Sequence, residues 1–209
     1  MTNEEADMKA DIEAADRGES IGLMEPLLLS ERARRRGEIV DRAVELAQKA
    51  AGLRRALPES LLASLATLVR AMNCYYSNLI EGHDTHPVDI ERALARDYST
   101  DPRKRDLQHE ASAHIAVQAW IDEGGLRGRA LTAAGIQDMH RRFCQNLPEE
   151  LLWIEDPATG ERVFVAPGEW RRRDVEVGRH RAVSPGAVPR FLKRFDQARD
   201  ARAVDIGHP

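Results

Sequence analysis

Two histidines and a glutamate lie within the six residues from His109 to His114, a combination that invites comparison with a zinc site. Zinc proteases of the zincin type carry two histidines four residues apart, about 40° around a helix, so that both reach one metal ion. Here the two histidines are five residues apart, which places them about 140° around a helix. The spacing disfavours a shared metal ion, and it predicts a helix with one histidine packed and the other partly solvated.

A second polar cluster follows the end of a predicted helix and consists of Glu81, His83, Asp84 and His86. Four side chains of metal-binding type within six residues leave a metal site open. Side chains of this kind also form hydrogen bonds to nearby backbone groups and so cap helices. We favour a capping turn, and we assign no metal ligand in the chain.

A basic run extends from Arg171 to Arg173. Arginine binds phosphate through two parallel N–H groups, so Arg171 is a candidate contact for a phosphate or another anion. Glu169, Asp174 and Glu176 lie beside the run and weaken its positive field. Runs of like charge are most often solvated surface, and both interpretations stay open.

The composition disfavours several classes of protein. The 209 residues carry a formal net charge of -4, whereas a general nucleic-acid-binding protein needs a basic surface. Cys74 and Cys144 lack the spacing of a zinc site, and we predict reduced, buried thiols. No apolar run approaches the ~20 residues of a membrane span, and the N-terminus has no signal-peptide pattern. We therefore expect a cytoplasmic protein without nucleic-acid or membrane partners.

Helical periodicity dominates the chain up to Pro148. Residues 1–29 are acidic and predicted to be flexible, and Ser30 is predicted to cap a helix that ends near Gly52. The apolar stripe of this helix would comprise Ile39, Val40, Val44 and Ala47. A stronger amphipathic helix of about six turns is predicted for 58–82, with Gly82 as its stop. Further helices are predicted at 88–96, 105–122, from Thr132 to Leu147, and after Pro189.

The pattern changes between Pro148 and Pro185. Extended segments flank a turn at 156–160, and alternation at 174–177 followed by Gly178 predicts a short hairpin that returns at 180–183. The fold class is therefore mainly α with a small β-hairpin. The predicted organisation is an acidic N-terminal segment (1–29), a helical region (30–125) and a region that carries the hairpin (126–209).

Three segments of the chain together resemble the Fic (Fido-domain) family. Ser77–Gly82 is similar to that family's inhibitory motif, [ST]-x-x-x-E-[GN], and ends the predicted 58–82 helix as the motif does in the family. Pro167–Arg171 and Val175–Gly178 are similar to a family stretch that leads into the so-called flap, and Pro185–Phe195 is similar to the helix after it. The resemblance covers about 58–198 and is specific in the order and spacing of these segments.

The resemblance implies a chemistry. Fic enzymes transfer AMP from ATP to hydroxyl side chains of target proteins, with a catalytic histidine in H-x-F-x-[DE]-G-N-G-R as the base. The acidic residue of that motif holds Mg²⁺, and the flap aligns the target by strand addition. Glu81 would be the inhibitory glutamate, supported by Ser77 and followed by Gly82. The flap would be formed by Val175, Glu176, Val177 and Gly178.

The sequence contains no G-N-G-R. We therefore expect a Fic domain that is incomplete at its C-terminus and inactive alone, and we assign no catalytic residue. ATP, Mg²⁺ and a target protein would belong to the complete family member. An alternative is an antitoxin-like binding module that inhibits a Fic enzyme in trans. A third hypothesis is an unrelated helical regulator that dimerises through the 58–82 helix.

Overall fold

The computed structural model describes residues 15–24, 29–83, 85–156 and 159–205. This part of the chain is mainly helical, as predicted. Its α-helices are α1 (Arg36–Ala56), α2 (Glu59–Ile80), α3 (Pro87–Leu94), α4 (Pro102–Asp122), α5 (Ala133–Gln145) and α6 (Val188–Asp205). Its strands are β1 (Trp153–Glu155), β2 (Arg162–Phe164), β3 (Glu176–Val177) and β4 (His180–Arg181). No described helix combines the length and the apolar character that crossing a membrane requires.

The chain divides into two compact units. Residues 27–111 form one, here called the helical unit, and residues 1–26 with 112–209 form the other, here called the hairpin unit. The boundary falls within α4. The two units are described separately below.

The first helix of the helical unit differs from its prediction at both ends. It begins at Arg36 because Ser30 closes a separate turn, in which its carbonyl oxygen accepts the N–H of Ala33 at 3.0 Å. It continues through Gly52 to Ala56, since a single glycine costs a helix only about 1 kcal/mol. No residue of α1 is buried, so its predicted apolar stripe is exposed.

The core of the helical unit lies where α2 packs against α3. Cys74 of α2 and Ile90 and Ala93 of α3 are at most 2% exposed. Pro87 occupies the first turn of α3, where its missing N–H is tolerated. The helices predicted at 58–82 and 88–96 are therefore confirmed within two residues at each end.

A buried glutamine fixes the connection between α3 and α4. Gln108 is fully buried; its side-chain oxygen accepts the N–H of Ser99 at 2.7 Å, and its Nε2 donates to the carbonyl oxygens of Asp89 and Asp97 at 3.1 and 3.4 Å. A buried amide must find such partners to offset its desolvation. Gln108 thereby stabilises a connection that has no regular structure of its own.

In the hairpin unit, α5 is capped as predicted by Thr132, whose Oγ1 accepts the N–H of Gly135 at 2.9 Å. Gly135 is buried, and a Cβ added to it would lie 1.9 Å from the carbonyl oxygen of Arg129. The first turn of α5 therefore packs directly on the backbone of the preceding turn. Asp196 of α6 accepts the N–H of Ala133 at 2.9 Å and joins the two helices.

Two antiparallel hairpins lie between α5 and α6. In the first, β1 pairs with β2 and Trp153 lies opposite Phe164; in the second, β3 pairs with β4 and Glu176 lies opposite Arg181. The second hairpin turns at Gly178, whose φ of +61° suits a glycine at the first central position of a two-residue turn. Both the extended segments around 156–160 and the hairpin at Gly178 were predicted from turn residues.

We predict opposite effects from one substitution at two helical glycines. Gly135→Ala should lower the free energy of unfolding by more than about 2 kcal/mol, because the new Cβ would clash with the Arg129 carbonyl oxygen. Gly52→Ala in α1 meets no atom within 4 Å and should raise it by about 0.5–1 kcal/mol. Denaturant unfolding of both variants measures the difference, and equal effects would contradict this account of α5.

Candidate functional site

A groove of about 1080 Å³ lies in the hairpin unit, and both hairpins contribute to its lining. One part of the lining is apolar: Ile154, Val163, Val165, Ala166, Trp170 and Val175. Another part is charged and mixes both signs: Glu155, Asp156, Glu169, Arg171, Arg172, Arg173, Asp174, Glu176 and Arg181. A lining that combines apolar side chains with charges of both signs suits a polypeptide segment better than a compact anion.

The Pro167–Gly168 turn lies between two residues that line the groove, Ala166 and Glu169, and is clamped onto α5. The N–H of Gly168 donates to Nδ1 of His140 at 2.9 Å, and its carbonyl oxygen accepts from Nε2 of Gln137 at 3.1 Å. Gly168 is buried with a φ of +80°, a conformation that favours glycine. Both polar backbone groups of Gly168 are thus satisfied by side chains from a single helix, which holds this turn against α5.

The same histidine contacts a buried thiol. Because Nδ1 of His140 accepts a hydrogen bond, the neutral ring carries its proton on Nε2, which lies 3.4 Å from Sγ of Cys144. Burial raises the pKa of Cys144, which is 3% exposed. A protonated, inaccessible thiol is a poor nucleophile. We therefore assign the His140–Cys144 pair a structural role beside the groove, which His140 lines. Both cysteines of the chain are free and buried, as predicted.

The predicted flap residues lie on the groove. Val175, Glu176 and Gly178 contribute to its lining, and Val177 is 72% exposed. Within the described part of the chain, β3 pairs only with β4, so its second edge has no strand beside it. An exposed edge of this kind can accept an added strand.

The candidate anion contact, Arg171, is half-buried and faces two carbonyl oxygens. Its guanidinium donates to the carbonyl oxygen of Arg173 at 2.9 Å and to that of Val183. These bonds join the strands that enter and leave the second hairpin, and they occupy two of its five N–H donors. Arg171 therefore acts as a brace for the flap, and its role towards phosphate stays a prediction.

A short N-terminal segment, Asp16–Glu19, holds the base of the flap and is here called the strap. Both carboxylate oxygens of Glu19 accept hydrogen bonds from Ser184, one from its N–H and one from its Oγ, each at 2.7 Å. Arg17 donates to both oxygens of Asp174, at 2.9 and 2.8 Å. Because Asp174 precedes β3 and Ser184 follows β4, the strap closes the flap at its open end.

The strap is also tied to α6. Asp16 accepts two hydrogen bonds from the guanidinium of Arg190, at 2.9 and 3.0 Å, and the carbonyl oxygen of Glu19 accepts a third at 2.8 Å. Arg17 and Arg181 both bind Asp174 and lower its pKa to about 2. Hydrogen bonds from Arg190 and Ser184 likewise lower the pKa values of Asp16 and Glu19. These residues belong to the segment predicted to be flexible, and in the structure they have specific partners.

The Ser77–Gly82 segment forms the C-terminal end of α2, in the helical unit. Gly82 has a φ of +77° and donates its N–H to Leu79, while His83 donates to the carbonyl oxygen of Asn78 at 2.8 Å. This pair of bonds is the Schellman arrangement that ends helices at a glycine. Nδ2 of Asn78 also donates to the hydroxyl of buried Thr85 at 3.2 Å, so part of the segment serves to end the helix.

Glu81 and Ser77 lie at this helix end with exposed side chains. The N–H of Glu81 donates to the carbonyl oxygen of Ser77 at 3.2 Å, and neither side chain has a hydrogen bond or ion pair with a described residue. The C-terminus of a helix carries a partial negative charge, so a carboxylate there is unfavourably placed. Glu81 thus carries a negative charge that the helical unit does not neutralise.

The histidines considered as ligands have other surroundings. His109 stacks on Tyr98 with ring centroids 4.2 Å apart, and burial lowers the pKa of His114. Nδ1 of His83 lies 3.9 Å from Glu110, while Asp84 lies outside the described residues. In the described ranges, no three His, Cys, Asp or Glu side chains are grouped to hold a metal ion.

Sequence reasoning missed the strap and the His140–Gly168 clamp. Arg17 and Asp174 are 157 positions apart and His140 and Gly168 are 28 apart, and neither pair leaves a periodic pattern. The one usable signal was Pro167-Gly168, a dipeptide typical of turns.

Comparison with known proteins gave no assignment. The chain matches no family model, no curated protein and no solved structure. The function therefore has to be argued from the groove, the flap and the exposed end of α2.

We predict that removing the charge of Glu81 stabilises the chain. Glu81→Gln should raise the free energy of unfolding by about 0.3–1 kcal/mol, because it relieves repulsion at the C-terminus of α2. Glu59→Gln, at the N-terminus of the same helix, should lower it by a similar amount. Denaturant midpoints at low salt measure both changes, and a destabilising Glu81→Gln would show that the carboxylate has a partner.

We also predict an acid-sensitive strap. The folded pKa of Asp174, about 2, is below its ordinary value of 3.8, so its contribution to stability is complete above that ordinary value and is lost as pH falls towards 2. Carboxyl carbon NMR should give a midpoint near 2. Arg17→Gln should raise the midpoint without restoring the ordinary value, since Arg181 remains, whereas Arg179→Gln should change it little. A midpoint near 3.8 in the wild type would contradict the described contacts.

Proposed function

We propose that this chain belongs to the Fic family, whose members transfer AMP from ATP to hydroxyl side chains of target proteins. The observation that carries the proposal is the flap: a hairpin with a two-residue turn whose strand β3 has no second strand partner among the described residues and which borders the groove. The two buried free thiols support a cytoplasmic location as part of the same proposal.

The order of the structural elements supports the proposal. A long helix ends at Ser77–Gly82, the Pro167–Gly168 turn leads into the β3–β4 hairpin, and α6 follows it. This order along the chain agrees with the order that the resemblance to the Fic family implies. Most of them also have a local cause, such as a glycine at positive φ, so their order carries more weight than any one of them.

The proposed role of the flap is to hold a segment of a target protein. An extended segment beside β3 would form backbone hydrogen bonds with its unpaired edge. Alternate side chains of that segment would contact the apolar lining residues Ile154, Val163 and Val175. The charged lining residues carry both signs, so backbone pairing rather than net charge would dominate binding.

The sequence lacks the residues to which the resemblance assigns the binding of ATP and Mg²⁺. The resemblance assigns the magnesium ligand, the glycine-rich phosphate cradle and the base to a motif that the sequence does not contain. Arg171, the candidate phosphate contact, directs two N–H groups to backbone carbonyl oxygens. We therefore derive no nucleotide chemistry from this chain's residues.

A second candidate function is inhibition in trans. The proposal assigns Glu81 to pairing with an arginine, and its side chain is exposed and unpaired among the described residues. Leu79 and Ile80 beside it are 55% and 82% exposed. An exposed carboxylate flanked by apolar side chains favours a complementary surface on another protein, here a complete Fic enzyme.

The test uses a chimera in which the motif-bearing segment of an active Fic enzyme follows α6. Transfer of AMP from ATP labelled at its α-phosphate should occur, and Glu81→Gly should increase it by roughly ten-fold or more, because an inhibitory contact is removed. Glu59→Gly is the matched control and should leave transfer unchanged. A chimera that melts cooperatively but transfers no AMP with either residue at position 81 would contradict the proposal.

The same assay tests inhibition in trans. The unmodified chain, added to an intact Fic enzyme, should reduce transfer, and Glu81→Gln should abolish that reduction. Equal effects from both chains would exclude a role for Glu81.

A further inference from the structure

The helix α1 presents an apolar face that no described residue buries. Its large apolar side chains are exposed to solvent: Leu46 is 69% exposed, Leu53 is 63% exposed and Ile39 is 47% exposed. The apolar positions occupy about half of the helix circumference: Ile39, Val40, Ala43, Val44, Leu46, Ala47, Ala50, Ala51 and Leu53. An apolar face of this extent is typical of a surface that a partner covers.

The centre of this face follows a strict heptad pattern. Ile39, Ala43, Leu46, Ala50, Leu53 and Leu57 are separated by four, three, four, three and four residues. That spacing is the seam of a two-stranded coiled coil. Large and small side chains alternate along it up to Leu53, which is a constraint on how a partner helix can fit.

We propose that α1 pairs with α1 of a second copy of this chain, in antiparallel orientation. This inference does not depend on the proposed function. In such a pair, Leu46 lies opposite Ala50 of the second copy and Leu53 lies opposite its Ala43. Each large side chain then fills the space left by a small one, as efficient helix packing requires.

A parallel pair would pack less well. In a parallel pair each residue lies opposite the same residue of the second copy. Layers of two alanines, at positions 43 and 50, would therefore alternate with layers of two leucines, at positions 46 and 53. The helices could not then keep one spacing along their length. Antiparallel pairing gives the four central layers one large and one small member each, and it places Ile39 opposite Leu57 at both ends of the seam.

The size of the face is sufficient for a specific contact. A helix of 21 residues is about 31 Å long, and half the surface of a cylinder about 10 Å wide is roughly 500 Å². Two copies together would bury roughly 1,000 Å², the lower limit for a specific interface. We therefore expect a reversible dimer.

The charges beside the seam are compatible with a second copy. Arg42 and Lys49 flank it on the same side, and Glu45 binds both, at 3.0 and 2.9 Å. Within each copy, Glu45 thereby offsets the positive charge of Arg42 and Lys49 beside the seam. A membrane surface is disfavoured as the partner, because this face of α1 has four alanines beside its two leucines and carries none of the Trp or Phe side chains typical of helices that lie on membranes.

Light scattering and sedimentation of the full chain test the proposal. The mass should rise from 23.4 kDa to twice that value as the concentration increases to about 100 µM. Leu46→Glu should reduce dimer formation at least ten-fold while leaving the helix content unchanged, because that side chain is exposed in the single copy. Gln48→Glu adds the same charge on the side of the helix opposite the seam, about 180° from its centre, and should leave the dimer intact.

Cross-linking tests the orientation. A mixture of Leu46→Cys and Ala50→Cys chains should form a covalent dimer on oxidation, whereas Ala50→Cys alone should not. A chain that stays monomeric at every concentration, a dimer that survives Leu46→Glu, or efficient cross-linking of Ala50→Cys alone would overturn the proposal. A monomer that sediments with phosphatidylserine vesicles would assign the face to a membrane and would also overturn it.

Discussion

The segment between β2 and α6 has little regular structure of its own, and the candidate site depends on contacts between this segment and the rest of the hairpin unit. Its regular structure consists of the two-residue strands β3 and β4 and a short 3-10 helix, Pro185–Ala187, so most of its backbone groups lack strand partners. Backbone groups that leave water must be satisfied by other means. Here side chains supply them: His140 and Gln137 bind Gly168, Arg171 binds two carbonyl oxygens, and Glu19 binds Ser184.

These contacts join parts of the sequence that lie far apart, and this explains which features could be predicted. Local signals sufficed for the helix ends at Gly82 and Thr132 and for the hairpin turn at Gly178, since each has a backbone or capping requirement that its own residues meet. The strap could not be predicted, because Asp16 and Arg17 acquire their roles only from Arg190 and Asp174. The pattern on α1 was recognised, but periodicity does not reveal whether a face is covered.

The Ser77–Gly82 segment shows why a short motif needs a structural test. Gly82 and Asn78 are explained by the helix end alone, through positive φ and the bond that Asn78 accepts from His83. Glu81 is not explained in this way, because a carboxylate at a helix C-terminus is electrostatically unfavourable. An inhibitory role therefore depends on Glu81, the one residue of the motif that the helix end does not explain, rather than on the glycine that any such helix would use.

The helical unit has a small core relative to the apolar side chains it exposes. Its buried apolar residues include Cys74, Ile90 and Ala93, whereas Leu68 and Val69 of α2 are more than half exposed, as are several residues of α1. Apolar side chains scattered singly on a surface need no explanation, but aligned ones do. Because the exposed residues follow helical stripes on two successive helices, they indicate surfaces formed for packing. The stability of this unit should therefore depend on protein concentration and on partners more than that of the hairpin unit, whose long-range polar contacts lie within the chain.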